Sequence, residues 1–231
     1  MNLEYEFKLK LAIVHHVIHF FESDDLLTTH ISARIPDTPY ILITPQNISF
    51  KNVTENNIVL INMDDESTYN TNVSEQALNI HIAAYKARDD INCIIHTHSD
   101  YGSIVASLEG GLKFTNQHSL RFYGDVNYHP FKGLAVGDEG DQIAKSLSNA
   151  RSLILCNHGL ISTGYSIEDC IYSHYYLEKT CKLYIKTLQC GVTIKEIDES
   201  LCIKTKKIFD KIRTPDLEFS YFQELTSTYR Q

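Results

Sequence analysis

The chain has no tryptophan, two methionines and five prolines, and none of its cysteines are paired in a CxxC arrangement. Each shortage closes a route. Without CxxC or a compact cysteine framework, neither a zinc ribbon nor a disulfide-stapled fold is indicated. The six cysteines (93, 156, 170, 181, 190 and 202) read as reduced thiols of a cytoplasmic protein. Positive charge is also short: 21 Lys and Arg against 29 Asp and Glu leave a formal net charge of −8, which argues against nucleic acid as a general partner. Long apolar runs are missing too. The longest, Leu11 to Phe21, is interrupted by His15, His16 and His19 and falls far short of a bilayer span, so no membrane partner is expected. Glu4 and Glu6 near the start break the basic-then-apolar order of a signal peptide.

What is present suits a globular domain with ample core: 43% hydrophobic and 22% charged residues over 231 positions, read as one domain spanning residues 1–231. Eleven histidines are a compositional hint of metal chemistry. Leu9, Ile13, Val17 and Phe20 fall at helical spacing and predict a helix over residues 4–22. HISARI and YILIT predict two strands joined through Pro36-Asp37, and IVLINM a third. A helix is predicted from Ser74 to Arg88, a weaker strand at VNYH, and a helix from GDEGDQIAKSL. Ser166 with Asp169 makes a capping box for a long helix to Gln189; a last helix covers roughly 195–212, and the tail after Pro215 reads as loosely held. Strands and helices mixed without a strict βαβ rhythm indicate an α/β or α+β domain with a mixed sheet.

Two stretches carry the chemistry. In INCIIHTHSD an apolar strand ends in His96 and His98, which a two-residue period sends to the same side. In LILCNHGL a second apolar strand delivers His158. Three imidazoles from two strand ends suit a zinc-like divalent ion with a fourth position open. Neutral ligands leave the full +2 charge on the site, which favours an anionic intermediate such as an enediolate. His-x-His alone is a weak motif, and a packed or surface histidine competes with it. The same weakness makes His15 and His19, four apart on a helix with no carboxylate or cysteine beside them, a packed or solvated pair. His81, in mid-helix, reads as packed and hydrogen-bonded, and Tyr172, Tyr175, Tyr176 and Tyr184 on the long helix read as core or as an uncovered face that suggests a subunit interface.

HTHS followed by NHGL resembles the class II aldolase/adducin family. The resemblance extends through HISARIPDTPYILITPQNISF, LNIHIAAYKARDDINCIIHTHS, GDVNYHPFKG and LILCNHGLISTGYSIEDC, over about residues 7–190, and HISAR and YHPFKG look most like the adducin-type branch. It implies a three-layer α/β/α sandwich around a mostly antiparallel sheet, homotetramers with active sites near subunit contacts, and His96, His98 and His158 as metal ligands. It also places His30, Ser32, Thr44 and Gln76 at substrate-binding positions. Adducins have generally lost the metal histidines, which this chain keeps.

The chain departs from the family's phosphosugar aldolases at one pocket. Their acid/base Glu falls on Ala77, and Glu75 lies two residues earlier, about 200° away around a helix. Their phosphate-binding serines fall on Glu75 and Gln76, so repulsion of a phosphate by the Glu75 carboxylate is expected. The Thr44-Pro45-Gln46-Asn47 loop has Asn where glycine is expected, and His30 replaces an asparagine. Candidates for the missing proton transfer are Glu75, Tyr123, His118 and His129, the last three in a segment expected to reach toward a neighbouring subunit. The sequence therefore supports a metal-dependent lyase, or a related decarboxylase, epimerase or dehydratase, acting on a small hydroxy-carbonyl or hydroxy-acid substrate. The alternative is an adducin-like non-catalytic oligomeric binding protein with a structural or vestigial metal site.

Overall fold

The apolar runs and their turn signals do form strands, and these assemble into one sheet. A computed structural model describes residues 2–69, 72–134 and 137–230. Its strands are β1 (His30–Arg34), β2 (Tyr40–Ile43), β3 (Val59–Asn62), β4 (Cys93–Thr97), β5 (Val126–His129), β6 (Ser152–Leu155) and β7 (Gly159–Gly164). They lie in the order β3-β2-β1-β4-β7-β6-β5, antiparallel throughout except for the parallel β5–β6 pair at one edge. Helices are α1 (Leu3–Phe20), α2 (Glu75–Ala87), α3 (Asp100–Ala106), α4 (Glu139–Leu147), α5 (Ile167–Gln189), α6 (Glu199–Ile212) and α7 (Pro215–Leu225). Together they make a three-layer α/β/α sandwich, the fold the family resemblance implied.

β4 is the central strand and is buried on both faces, which is why it reads as an unbroken apolar run. Ile94, with Leu153 and Ile161, packs beneath α2 and α4. Cys93 and Ile95, with Ile31, pack on the other face against α1, α5 and α7. Alternation along this strand therefore sorts side chains between two separate layers. The helix starts follow the sequence. Ser74 caps α2 by accepting from the Ala77 N–H, and Ser166 caps α5 by accepting from the Asp169 N–H. The Asp169 carboxylate reaches back to the Tyr165 N–H, one residue before the cap.

Two expectations need correction. The segment after Pro215 is not loose: Pro215 opens α7, where its missing N–H costs nothing. Phe219 and Phe222 then bury against α1 and α5, worth at most about 1.5–3 kcal/mol each. The tyrosines of α5 are not an uncovered face either. Tyr172 and Tyr184 are buried, Tyr175 packs edge-on against Tyr176 and Phe222, and the Arg121 guanidinium lies 4.0 Å over the Tyr176 ring. All six cysteines are free. Among the described residues, no helix is long and apolar enough to cross a membrane.

Candidate metal centre

His96 projects from β4 toward the α2 layer, and its Nδ1 lies 2.9 Å from the Leu160 carbonyl on β7. A carbonyl only accepts, so Nδ1 carries the proton and Nε2 presents a lone pair. His98 stands one residue beyond the strand, with Nδ1 3.3 Å from Asp25 Oδ2 and 3.1 Å from Thr28 Oγ1. The carboxylate again fixes the proton on Nδ1 and leaves Nε2 bare. His158 sits in the turn between β6 and β7, reached through Asn157 in the left-handed region at φ 56°. The next residue must be small: a Cβ on Gly159 would lie 2.3 Å from the Thr97 carbonyl oxygen.

The three Nε2 atoms converge. His98 Nε2 is 2.9 Å from His96 Nε2 and 2.8 Å from His158 Nε2, and all three ligand atoms lie within 4.8 Å of one another. The facing lone pairs of His96 and His98 repel at such a distance unless a cation stands between them. Burial lowers all three pKa values, with neighbouring histidines adding to the effect at His96 and His158, and His158 is pushed down to about 4. Neutral imidazole is the form that ligates a metal. Three neutral nitrogen donors, two of them oriented by outer partners, fit a divalent ion of the zinc type.

The histidines border a cleft of about 230 Å³, walled on its apolar side by Leu27, Ile80 and Leu134 and on its polar side by Gln46, Ser74 and Gln76. None of the described residues lining it is a lysine, an arginine or a carboxylate. His30 also lines it, its ring 4.7 Å from that of His96. Behind it runs a buried chain: His30 Nδ1 to His81 Nε2 at 2.8 Å, His81 Nδ1 to Ser32 Oγ at 2.5 Å, and Ser32 Oγ to Tyr85 Oη at 2.8 Å. Burial pushes His81 down to about 3.

Of the substrate positions named from sequence, His30 and Gln76 line the cleft. Ser32 and Thr44 do not. Ser32 is fully buried beneath α2, where it holds His81, and Thr44 ties β1 to α1 through Ile31 and His15. Glu75 is exposed and lines a different groove beside Glu66 and Leu78, because α2 begins at Glu75 with regular helical geometry. The expected repulsion between Glu75 and a bound phosphate therefore loses its geometric basis. Ala77 is buried in the core beneath α2. Tyr123 packs on Phe114 and donates to Glu199 on α6, and His118 stacks on Tyr176 of α5, so neither lines this chain's cleft. His129 lies at the end of β5 against Ser146. His15 is buried and bonded to Leu11 and Thr44, and His19 pairs with Asp24, which leaves no metal face on α1. Sequence reasoning missed Asp25, Thr28 and the Leu160 carbonyl. The first two sit in a polar turn with no periodicity, and the third is a backbone atom.

The family model for the Class II Aldolase and Adducin N-terminal domain matches residues 10–185. A Caulobacter vibrioides protein named for the class 2 aldolases is 31% identical over 194 residues, covering 81% of this chain and 75% of its own. The crystal structure of an aldolase II superfamily protein from Pseudomonas syringae superposes with a TM-score of 0.90 at 26% identity, covering 100% of this chain and 97% of its own. An L-fuculose 1-phosphate aldolase from Glaciozyma antarctica follows at 0.83 and 26%, covering 98% and 92%.

Proposed function

The chain belongs to the class II aldolase and adducin family, and on that premise we propose that it is a metal-dependent lyase-type enzyme, an aldolase or a related decarboxylase, epimerase or dehydratase. Its substrate is a small, unphosphorylated hydroxy-carbonyl or hydroxy acid. The convergence of three imidazole Nε2 atoms on one cleft carries this reading. His96, His98 and His158 would hold the ion, which we take to be zinc. When bound, such an ion supplies Lewis-acid chemistry, stabilising negative charge that develops on a substrate oxygen.

The chain's own residues do the rest. Leu27, Ile80 and Leu134 give the cleft the apolar part of its lining. The Gln46 and Gln76 amides orient substrate hydroxyls, and His30, held from behind by His81, presents its ring to the substrate. The absence of phosphate from the substrate rests on a cleft without lysine or arginine among its described lining. The Glaciozyma antarctica relative is a fuculose 1-phosphate aldolase; it supports the reaction class and sets the contrast in substrate. We further read residues 1–231 as one domain of the adducin-type branch, working in the cytoplasm as a homotetramer.

The test is elemental analysis of protein purified without chelator, followed by a panel of unphosphorylated hydroxy acids and hydroxy-ketones incubated in D2O. Metal-dependent loss of the proton beside the carbonyl, followed by NMR, is the expected result. Cleavage of fuculose 1-phosphate at useful rates would overturn the substrate class. Stoichiometric metal with no exchange on any compound would favour the adducin-like binding protein, the reading that the absent Glu at position 77 supports.

A further inference from the structure

The opposite face of β4 holds a second, larger cavity. It measures about 410 Å³, within the range of small-molecule sites, and lies between the end of α1, the start of α3 and the outer half of α5. Thr97 and Ser99 alternate with His96 and His98 and turn toward α5. There Glu178 receives both: its Oε1 accepts from Thr97 Oγ1 at 3.0 Å and its Oε2 from Ser99 Oγ at 2.6 Å. The side chain retains 12% of its exposure, at the floor of the cavity. Burial pushes this carboxyl up to about 7, so near neutral pH it is half protonated and able to donate as well as accept. His174, 3.5 Å away, is buried and pushed down to about 3, so it brings no positive charge.

The rim is cationic. Lys179, Lys182 and Lys186 fall three and four residues apart on α5 and so share one face. In a chain of net charge −8, none of the three makes an ion pair among the described residues. Lys179 and Lys182 lie instead over the rings of Tyr175 and Tyr101, at 5.6 and 5.4 Å. The helix dipole accounts for Lys186 in the last turn but not for Lys179, about two turns earlier. Like charges at this spacing weaken a helix, and an anion among them offsets that cost. The other charged groups facing the cavity are Glu22 and Asp100. Three ammonium groups outnumber them while Glu178 is protonated.

We propose that this cavity is a binding site, separate from the metal cleft, for a small organic anion bearing a carboxylate or phosphate monoester. Its acidic group pairs with Lys179, Lys182 and Lys186, its body lies between Tyr101 and Tyr175, and a hydroxyl reaches Glu178. Because deprotonated Glu178 repels such a ligand, affinity falls as pH rises through about 7.

Calorimetric titration of the full chain tests this, with malate, citrate and glycerol phosphate as separate probes. The expected result is saturable binding by at least one probe; malate and citrate against glycerol phosphate tell carboxylate from phosphate recognition. Binding weakens roughly tenfold or more in Lys182→Gln/Lys186→Gln, the weight of a charge-assisted hydrogen bond. It is unchanged in His98→Ala and becomes insensitive to pH between 6 and 8 in Glu178→Gln. The proposal is overturned if no probe binds saturably at millimolar concentration, if the lysine variant binds as wild type does, or if His98→Ala abolishes binding. The last result would assign the anion to the metal cleft and leave the metal reading intact.

Discussion

The two hollows on either side of β4 are built from neighbouring residues and have opposite electrostatic designs. On one face, His96 and His98 join His158 in a cleft with no charged side chain in its described lining, so its polar strength lies in neutral imidazoles together with the side chains of Gln46, Ser74 and Gln76. On the other, Thr97 and Ser99 anchor a buried carboxyl beneath three lysines without ion-pair partners. A strand's two-residue period separates these chemistries completely: the one ligates a cation, the other attracts an anion. Adjacent sequence positions here say little about shared function. Positions two apart say much more.

The largest way to break this contrast is His98→Ala. One of three donors is removed, and metal affinity falls by on the order of a thousandfold, a proportionate share of the binding energy of a multi-histidine site. Chelator competition with elemental analysis checks it, and metal-dependent turnover falls in parallel. Glu178→Gln acts on the other face. The folded carboxyl sits at about 7 against 4.5 unperturbed, so its contribution to stability is present below 4.5 and lost as pH rises through 7. The loss is at most about 3 kcal/mol. Buried His15 and His174, both pushed down to about 3, work in reverse and cost stability as pH falls below 6.5. Melting temperatures at pH 5 and pH 8 should therefore show the wild type losing more on the alkaline side than Glu178→Gln. Asp25→Asn sharpens the comparison more gently: it removes the charge behind His98 Nδ1 and reduces metal affinity about tenfold, the low end for an outer partner that is half exposed. Smallest is Glu75→Gln, which changes turnover less than twofold and stability by under about 0.5 kcal/mol, since Glu75 faces another groove.

The metal histidines were legible because each ends an apolar run, and a rigid strand converts spacing into direction. The layered fold was legible for a related reason: caps such as Ser74 and Ser166 and the doubly buried β4 leave local marks. Ser32 and Thr44 stand behind the cleft, a depth that motif position does not report; a hydroxyl beside the site and one buried behind it have the same letter. Pro215 was read as the end of order when it opens α7, although Phe219 and Phe222 three residues apart already marked a helical face. Glu178 left no signal. Its character comes from Thr97 and Ser99, far away in the chain, and from burial that only the tertiary fold creates.

Gly159 carries a consequence for how this chain can change over generations. With the Thr97 oxygen 2.3 Å from where a Cβ would sit, and His98 Cδ2 at 3.1 Å, every single substitution at 159 collides with the strand that carries the other two histidines. A lineage that abandons the metal can replace the histidines one at a time, but it cannot relax the glycine without first moving β4 and β7 apart. Gly159 should therefore persist after the chemistry is gone, a fossil of the site outlasting its function.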